Sequence, residues 1–260
     1  MTTAQLRRHG PSKPRRQTMN KVPQVTAVFW VIKVLTTGMG ETASDFLAHV
    51  MDPMIAVALG ALGLLISLAV QFRLDRYVAW VYWTTVVMVS VFGTMAADVL
   101  HVGLGVPYTE ATPVFVVALA VIFGAWYATE RTLSVHSINT RRREAFYWAT
   151  VLATFALGTA AGDLTATDFG LGYLASGFVF TALIALPALA HARLGRGAVA
   201  AFWSAYVLTR PLGASFADWM AVSPARGGLD LGLGPVTLGW TLVILALVTH
   251  LATTRHDTKP

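Results

Sequence analysis

TTGMGETASDFL (36–47), VFGTMAADVL (91–100), FALGTAAGDLTA (155–166) and TRPLGASFADWM (209–220) are four versions of one segment. An aromatic-Trp pair precedes each: Phe29-Trp30, Tyr82-Trp83, Tyr147-Trp148 and Phe202-Trp203. Glycine follows the Trp by ten residues (Gly40, Gly93, Gly158, Gly213) and aspartate by fifteen (Asp45, Asp98, Asp163, Asp218). Four residues after each Gly stands another small residue, Ser44, Ala97, Gly162 or Ala217, a spacing that lets helix backbones approach closely inside a membrane. The Trp residues recur at intervals of 53, 65 and 55. Those intervals exceed one helix, so each repeat holds a helix pair.

Of the 260 residues 55% are hydrophobic and 12% charged, and the mean hydropathy is +0.61. That is the composition of a membrane protein. With no cysteine, disulfides and thiolate metal sites are excluded. The net charge of +6 lies in short segments between apolar runs, so it reads as an orientation signal, and no nucleic-acid partner is expected.

Residues 1–22 carry Arg7, Arg8, Lys13, Arg15, Arg16 and Lys21 without an apolar run and are expected to be a disordered cytosolic tail. Apolar runs follow at 24–47, 53–72, 78–100, 112–129, 145–165, 171–191, 198–220 and 235–253, each near the ~20 residues that cross a bilayer. The expected fold is therefore an all-α integral membrane protein of eight transmembrane helices. It comprises four parallel-oriented αα-hairpin repeats around a pseudo-symmetry axis, at about 23–76, 77–140, 141–196 and 197–253, with 254–260 as a second tail. Asp52-Pro53, Thr112-Pro113 and Gly234-Pro235 read as helix starts. Lys and Arg cluster at the tails and in the connections after the second, fourth and sixth helices, with only Arg226 in the others. Both termini are thus expected in the cytoplasm. The Trp residues are expected as interfacial anchors on that side, and each Asp roughly 22 Å further along its helix.

The four quoted segments resemble the repeats of a bacterial inner-membrane family described as a tandem repeat of unknown function, over about residues 22–253. The resemblance implies the fold and an inner-membrane location. It also implies manganese export as a first activity to consider.

Carboxylates at membrane depth are costly and normally face a protein interior or a water-filled cavity. Glu41, Asp45, Asp98, Asp163 and Asp218 are the candidate ion-binding residues, with His49 and His101 as further metal ligands. Such an oxygen-rich set suits Mn²⁺, Mg²⁺ or Ca²⁺. The other reading is structural, because each Asp could instead cap a turn or tie helices together. Eleven residues after the Trp the repeats read Glu41, Thr94, Thr159 and Ala214, and seven after it Thr37, Ser90, Phe155 and Arg210. The symmetry is broken where a site would need it broken. Lys33 and Arg210 are intramembrane cations expected as counter-charges, Arg210 pairing with Glu41. Pro211, which frees the Val207 carbonyl, is expected to kink or break its helix.

No Ser/His/Asp, HExxH or nucleophile-elbow arrangement is present, and no enzymatic activity is expected. The leading expectation is a secondary transporter with a small cation as substrate, exchanged against protons, with membrane lipid as surroundings and no resident cofactor. A passive cation channel and a non-transporting scaffold or sensor are the alternatives. Nothing in the residues sets the oligomeric state.

Overall fold

The computed structural model describes residues 20–194, 197–254 and 257. The tail expected over residues 1–22 lies outside these as far as residue 19. Among the described residues the chain forms eight α-helices and no strand: α1 Ala27–Val50, α2 Pro53–Arg73, α3 Ala79–Asp98, α4 Tyr108–Glu130, α5 Arg141–Asp163, α6 Tyr173–Leu194, α7 Ala198–Ala221 and α8 Leu233–Thr254. Local chemistry sets several starts. The Thr26 hydroxyl accepts from Phe29 N at 3.2 Å, and the Asp52 carboxylate accepts from Met54 N and Ile55 N at 2.9 and 3.2 Å, with Pro53 opening α2. α4 begins at Tyr108, after the extended Pro107, so Pro113 lies inside the helix and does not open it as expected. α3 and α5 run on past their aspartates into single wide π-turns, Val99–Gly103 and Leu164–Asp168.

Six helices, all but α1 and α7, are long and apolar enough to cross a membrane. α1 and α7 have the length, at 24 residues each, but carry Lys33, Glu41, Asp45, Arg210 and Asp218. Their polar residues turn inward: Lys33, Glu41 and Arg210 are 1, 4 and 0% exposed. The apolar side chains of α2, α4, α6 and α8 are largely exposed, including Leu62, Val117, Leu186 and Leu242. That distribution, apolar outside and polar inside, is the one a bilayer selects.

The packing closes a cycle. α1 packs on α3, α3 on α5, α5 on α7 and α7 on α1, while α2, α4, α6 and α8 each pack chiefly on the odd helix of the next repeat, α8 returning to α1. The recurrent glycine explains why the odd helices come so close. A Cβ at Gly40 would run into Ser90, at Gly93 into Phe155, at Gly158 into Arg210, and at Gly213 into Thr37. In every case the partner stands seven residues after the Trp of the following repeat. One rule therefore holds round the whole ring, and glycine is needed because nothing larger fits.

The aromatic-Trp pairs obey the same cycle. Phe29 meets Trp83 at 5.6 Å between ring centroids, Tyr82 meets Trp148 at 5.5 Å, Tyr147 meets Trp203 at 6.1 Å, and Phe202 meets Trp30 at 5.6 Å. Trp83, Trp148 and Trp203 are 1, 3 and 5% exposed. They are wedges between odd helices and not the interfacial anchors expected. The indole area serves helix packing, worth more here than at a lipid headgroup because each ring also meets a second ring edge-on.

A strap covers this Trp end of the ring. Lys21 N donates to Ile138 O at 2.9 Å, Tyr77 N to Asn20 O at 3.3 Å, and Gln24 N to Asp257 O at 3.0 Å. Lys21 Nζ reaches the Glu144 carboxylate at 2.6 Å, whose other oxygen accepts from Gln71 Nε2 at 2.9 Å. Lys21 and Val22 are 5% exposed. The part of the expected tail that is described, Asn20–Val22, is thus packed structure: a buried carboxylate on α5 and a backbone ladder hold it.

Candidate functional site

Residues four apart form a ridge along a helix, and on the odd helices one such ridge passes through the whole ring. From the Trp end it carries first Phe29, Tyr82, Tyr147 and Phe202, then Lys33, Val86, Val151 and Tyr206. Thr37, Ser90, Phe155 and Arg210 come next, followed by Glu41, Thr94, Thr159 and Ala214, and finally the four aspartates. Each step rises about 6 Å.

The middle of this stack is a lock to which every repeat contributes a side chain. Arg210 Nη2 donates to the Glu41 carboxylate, to the Thr94 hydroxyl and, at 2.6 Å, to Thr159 Oγ1. Nη1 donates to Thr37 O at 2.5 Å and Nε to Phe155 O at 3.4 Å. Thr94 and Thr159 donate in turn to Glu41 Oε2, both at 3.3 Å. The expected Arg210–Glu41 pairing is therefore observed, within a hydrogen-bonded set that satisfies the planar guanidinium fork. A kinked or broken helix is expected from the sequence at Pro211; α7 is continuous through it, so the break is absent. Val34 O and Gly38 N of α1 are so near Gly213 that the helix has no room to splay.

Lys33 sits one ridge step nearer the Trp end and faces no carboxylate. Its Nζ lies over the rings of Phe155 and Tyr206, 4.2 and 4.3 Å from their centroids, and has no hydrogen-bond partner. The Tyr206 hydroxyl is likewise buried without a partner. Tyr82 and Tyr147 share a hydrogen bond of 2.5 Å.

At the other end the four aspartates come together. Asp98 lies within the electrostatic reach of Glu41, Asp45 and Asp163, and Asp218 within that of Glu41, Asp45 and Asp163. Asp218 is 5% exposed; Asp45, Asp98 and Asp163 are half-buried. Among the described residues none of the four is in a salt bridge. Tyr108 stands beside Asp163; Arg226, bonded to the Tyr173 hydroxyl at 2.6 Å, is in electrostatic reach of Asp45 and Asp218, and Arg210 of all four aspartates.

The histidines proposed as ligands point elsewhere. His49 is exposed with Nδ1 2.6 Å from Asp45 O. His101 is stacked on Tyr108, centroids 3.7 Å apart, with Nδ1 2.9 Å from Val106 O. Among the described residues no three His, Asp or Glu side chains are placed to grip one metal ion. The aspartates form a cluster of neighbouring carboxyl groups and not a preformed coordination cage.

The sequence reading does not single out Glu144, Gln71, Tyr108 or Tyr173, and it gives Arg226 no part in a site. A signal was available for the tyrosines, since Tyr108 and Tyr173 each follow a repeat Asp by ten residues. Both open the helix after a π-turn and set their rings at the acidic end.

The family model described as Repeat of Unknown Function (DUF347) matches residues 28–77, 81–132, 146–196 and 201–257, and the chain belongs to that family. No curated protein and no solved structure matches the chain at a significant level.

Proposed function

We propose that this protein is a secondary transporter of cations in the bacterial inner membrane. On this reading all eight helices span, and the four repeats surround one pseudo-fourfold axis along the membrane normal. The observation that carries the proposal is the convergence, at one end of the ring, of four aspartates that form no salt bridge among the described residues, while the other end is packed with aromatic rings. The excess of Lys and Arg in the tails and in the connections at the Trp end supports a cytoplasmic Trp end and cytoplasmic termini. The acidic cluster then faces outward. A field of carboxylates attracts cations and can exchange protons for them.

Below the aspartates, Arg210 neutralises Glu41 and blocks the axis. A cation that advances from the acidic end to Glu41 must displace Arg210. That competition separates an alternating-access cycle from free passage. Mn²⁺ is the first substrate to test, with export coupled to inward proton movement. The oxygen donors of the aspartates suit a hard divalent ion that keeps part of its water shell.

Whole-cell elemental analysis after metal loading tests this. Cells expressing the wild type are expected to hold less manganese than empty-vector cells, and cells expressing Asp98→Asn at equal protein level to match the vector. Equal metal content in all three would overturn the reading.

A further inference from the structure

The Trp end is packed with aromatic rings beneath the strap, and a proton-coupled cycle must move protons across it. Two of the four aromatic positions are phenols: Tyr82 and Tyr147, where the other repeats have Phe29 and Phe202. Their hydroxyls are hydrogen-bonded to each other at 2.5 Å. Tyr206, one ridge step further in, sets its hydroxyl close to that of Tyr147, short of full hydrogen-bond geometry. Lys33, whose amine also has no acceptor, lies over the Tyr206 ring. On the opposite side Tyr82 packs edge-on against Tyr77, centroids 5.6 Å apart, and the Tyr77 hydroxyl donates to the Asp257 carboxylate. Burial first, and then that bond, keep Tyr77 protonated well above the ordinary phenol range.

We infer that Lys33, Tyr206, Tyr147 and Tyr82 form a proton path through the Trp end of the ring, delivering protons to Tyr77 and Asp257, so that the exchanged ion is H⁺. The inference rests on the transport reading above and gives its coupling ion a route. A proton leaves the Lys33 ammonium as the flexible side chain swings from the Tyr206 ring face to its hydroxyl. Each phenol oxygen accepts one proton while its own O–H passes to the next, and the Asp257 carboxylate takes the last. Every phenol ends neutral and no bond between heavy atoms changes. Lys33 is left as an amine, to be recharged from the aspartate side when the Arg210–Glu41 pair opens. The charged groups facing Lys33 are Arg210 and, beyond it, Glu41. Two isolated orphan polar atoms in a core would each cost stability; here the Lys33 amine and the Tyr206 hydroxyl head a series that ends at the Asp257 carboxylate, 3% exposed where the strap holds it.

The test uses full-length protein in liposomes with Mn²⁺ as the only divalent cation and trapped dyes for Mn²⁺ and for pH. Wild type is expected to move Mn²⁺ one way and protons the other. In the Y82F/Y147F double variant, which keeps both rings, the proton-driven flux is expected to fall at least about tenfold. Mn²⁺–Mn²⁺ exchange, which needs no net proton transfer, is expected to persist and so reports a folded protein. K33M is expected to behave likewise. Undiminished proton-driven flux in the double variant would overturn the path while leaving transport standing. Absence of any Mn²⁺ movement in the wild type would overturn the transport reading and the path with it.

Discussion

The two ends of this ring are built from the same four repeats and solve opposite problems. At the Trp end each repeated residue finds a partner in the next repeat: indole against aromatic ring, glycine against the side chain that fills its missing Cβ. At the Asp end the repeated residue is a carboxylate beside three of its own kind, and among the described residues it has no salt bridge. Repetition reinforces packing at one end and accumulates charge at the other. The difference teaches that fourfold recurrence alone does not distinguish structural from functional residues, but the partners of the recurring residue do.

The largest expected effect breaks the junction between the two ends. Arg210→Ala leaves Glu41 buried with only two threonines, and loss of one member of a buried ion pair costs about 3–5 kcal/mol. Thermal unfolding in detergent is expected to show a large fall. The E41Q/R210M double variant, which leaves no orphan charge, is expected to recover most of it. A small effect of Arg210→Ala would mean that water already fills the lock.

Next comes the strap. Glu144→Ala strands the Lys21 ammonium and the Gln71 amide that the carboxylate holds at 2.6 and 2.9 Å. A hydrogen bond to a charged group contributes about 1.5–3 kcal/mol, so the strap is expected to loosen before the ring does. A cysteine introduced as V22C is expected to react with a soluble maleimide much faster in the Glu144→Ala background. Equal reactivity would show that the backbone ladder holds Asn20–Gln24 without the ion pair.

Smaller again is the effect of a single methyl group. At Gly158 an added Cβ would collide with the side chain of Arg210, and overpacking costs roughly 1–3 kcal/mol. At Gly124, on the exposed face of α4, nothing lies within 4 Å of the same atom, so Gly124→Ala is expected to be neutral or to stabilise by up to about 1 kcal/mol through helix propensity. Opposite signs at two glycines in transmembrane helices would confirm that the repeat glycine is there for close approach.

Much of this was legible in the sequence because it recurs. The fixed spacing of Trp, Gly and Asp exposed the repeats, and the breaks in that repetition, Glu41 and Arg210, pointed to the lock. Less legible was what faces what. In an apolar sequence a Trp at a helix start reads equally as a lipid anchor or as a buried wedge, because lipid tails and helix surfaces are alike apolar; the choice depends on Tyr82 and Tyr147 of neighbouring repeats. The strap was hidden for a different reason. Lys21 belongs to a basic stretch that looks solvated throughout, and its burial depends on Glu144, 123 residues away.

The smallest expected effect separates the two ends most cleanly. Asp98→Asn removes a charge that sits among Glu41, Asp45 and Asp163 and, among the described residues, forms no ion pair. If Asp98 tied helices together, the change would lower thermal stability. Because like charges in a poorly solvated site repel, replacing one by an isosteric amide is expected instead to leave the unfolding temperature unchanged or slightly raised, even as transport is lost. Asp163→Asn is the sharper comparison, since Tyr108 stands beside that carboxylate and an amide oxygen can still accept from its hydroxyl. A stability loss at Asp163 but not at Asp98 would assign a structural share to the tyrosine-bearing position alone. A loss at both, comparable with that of Arg210→Ala, would make the Asp end as much a packing device as the Trp end and remove the contrast on which the transport reading stands.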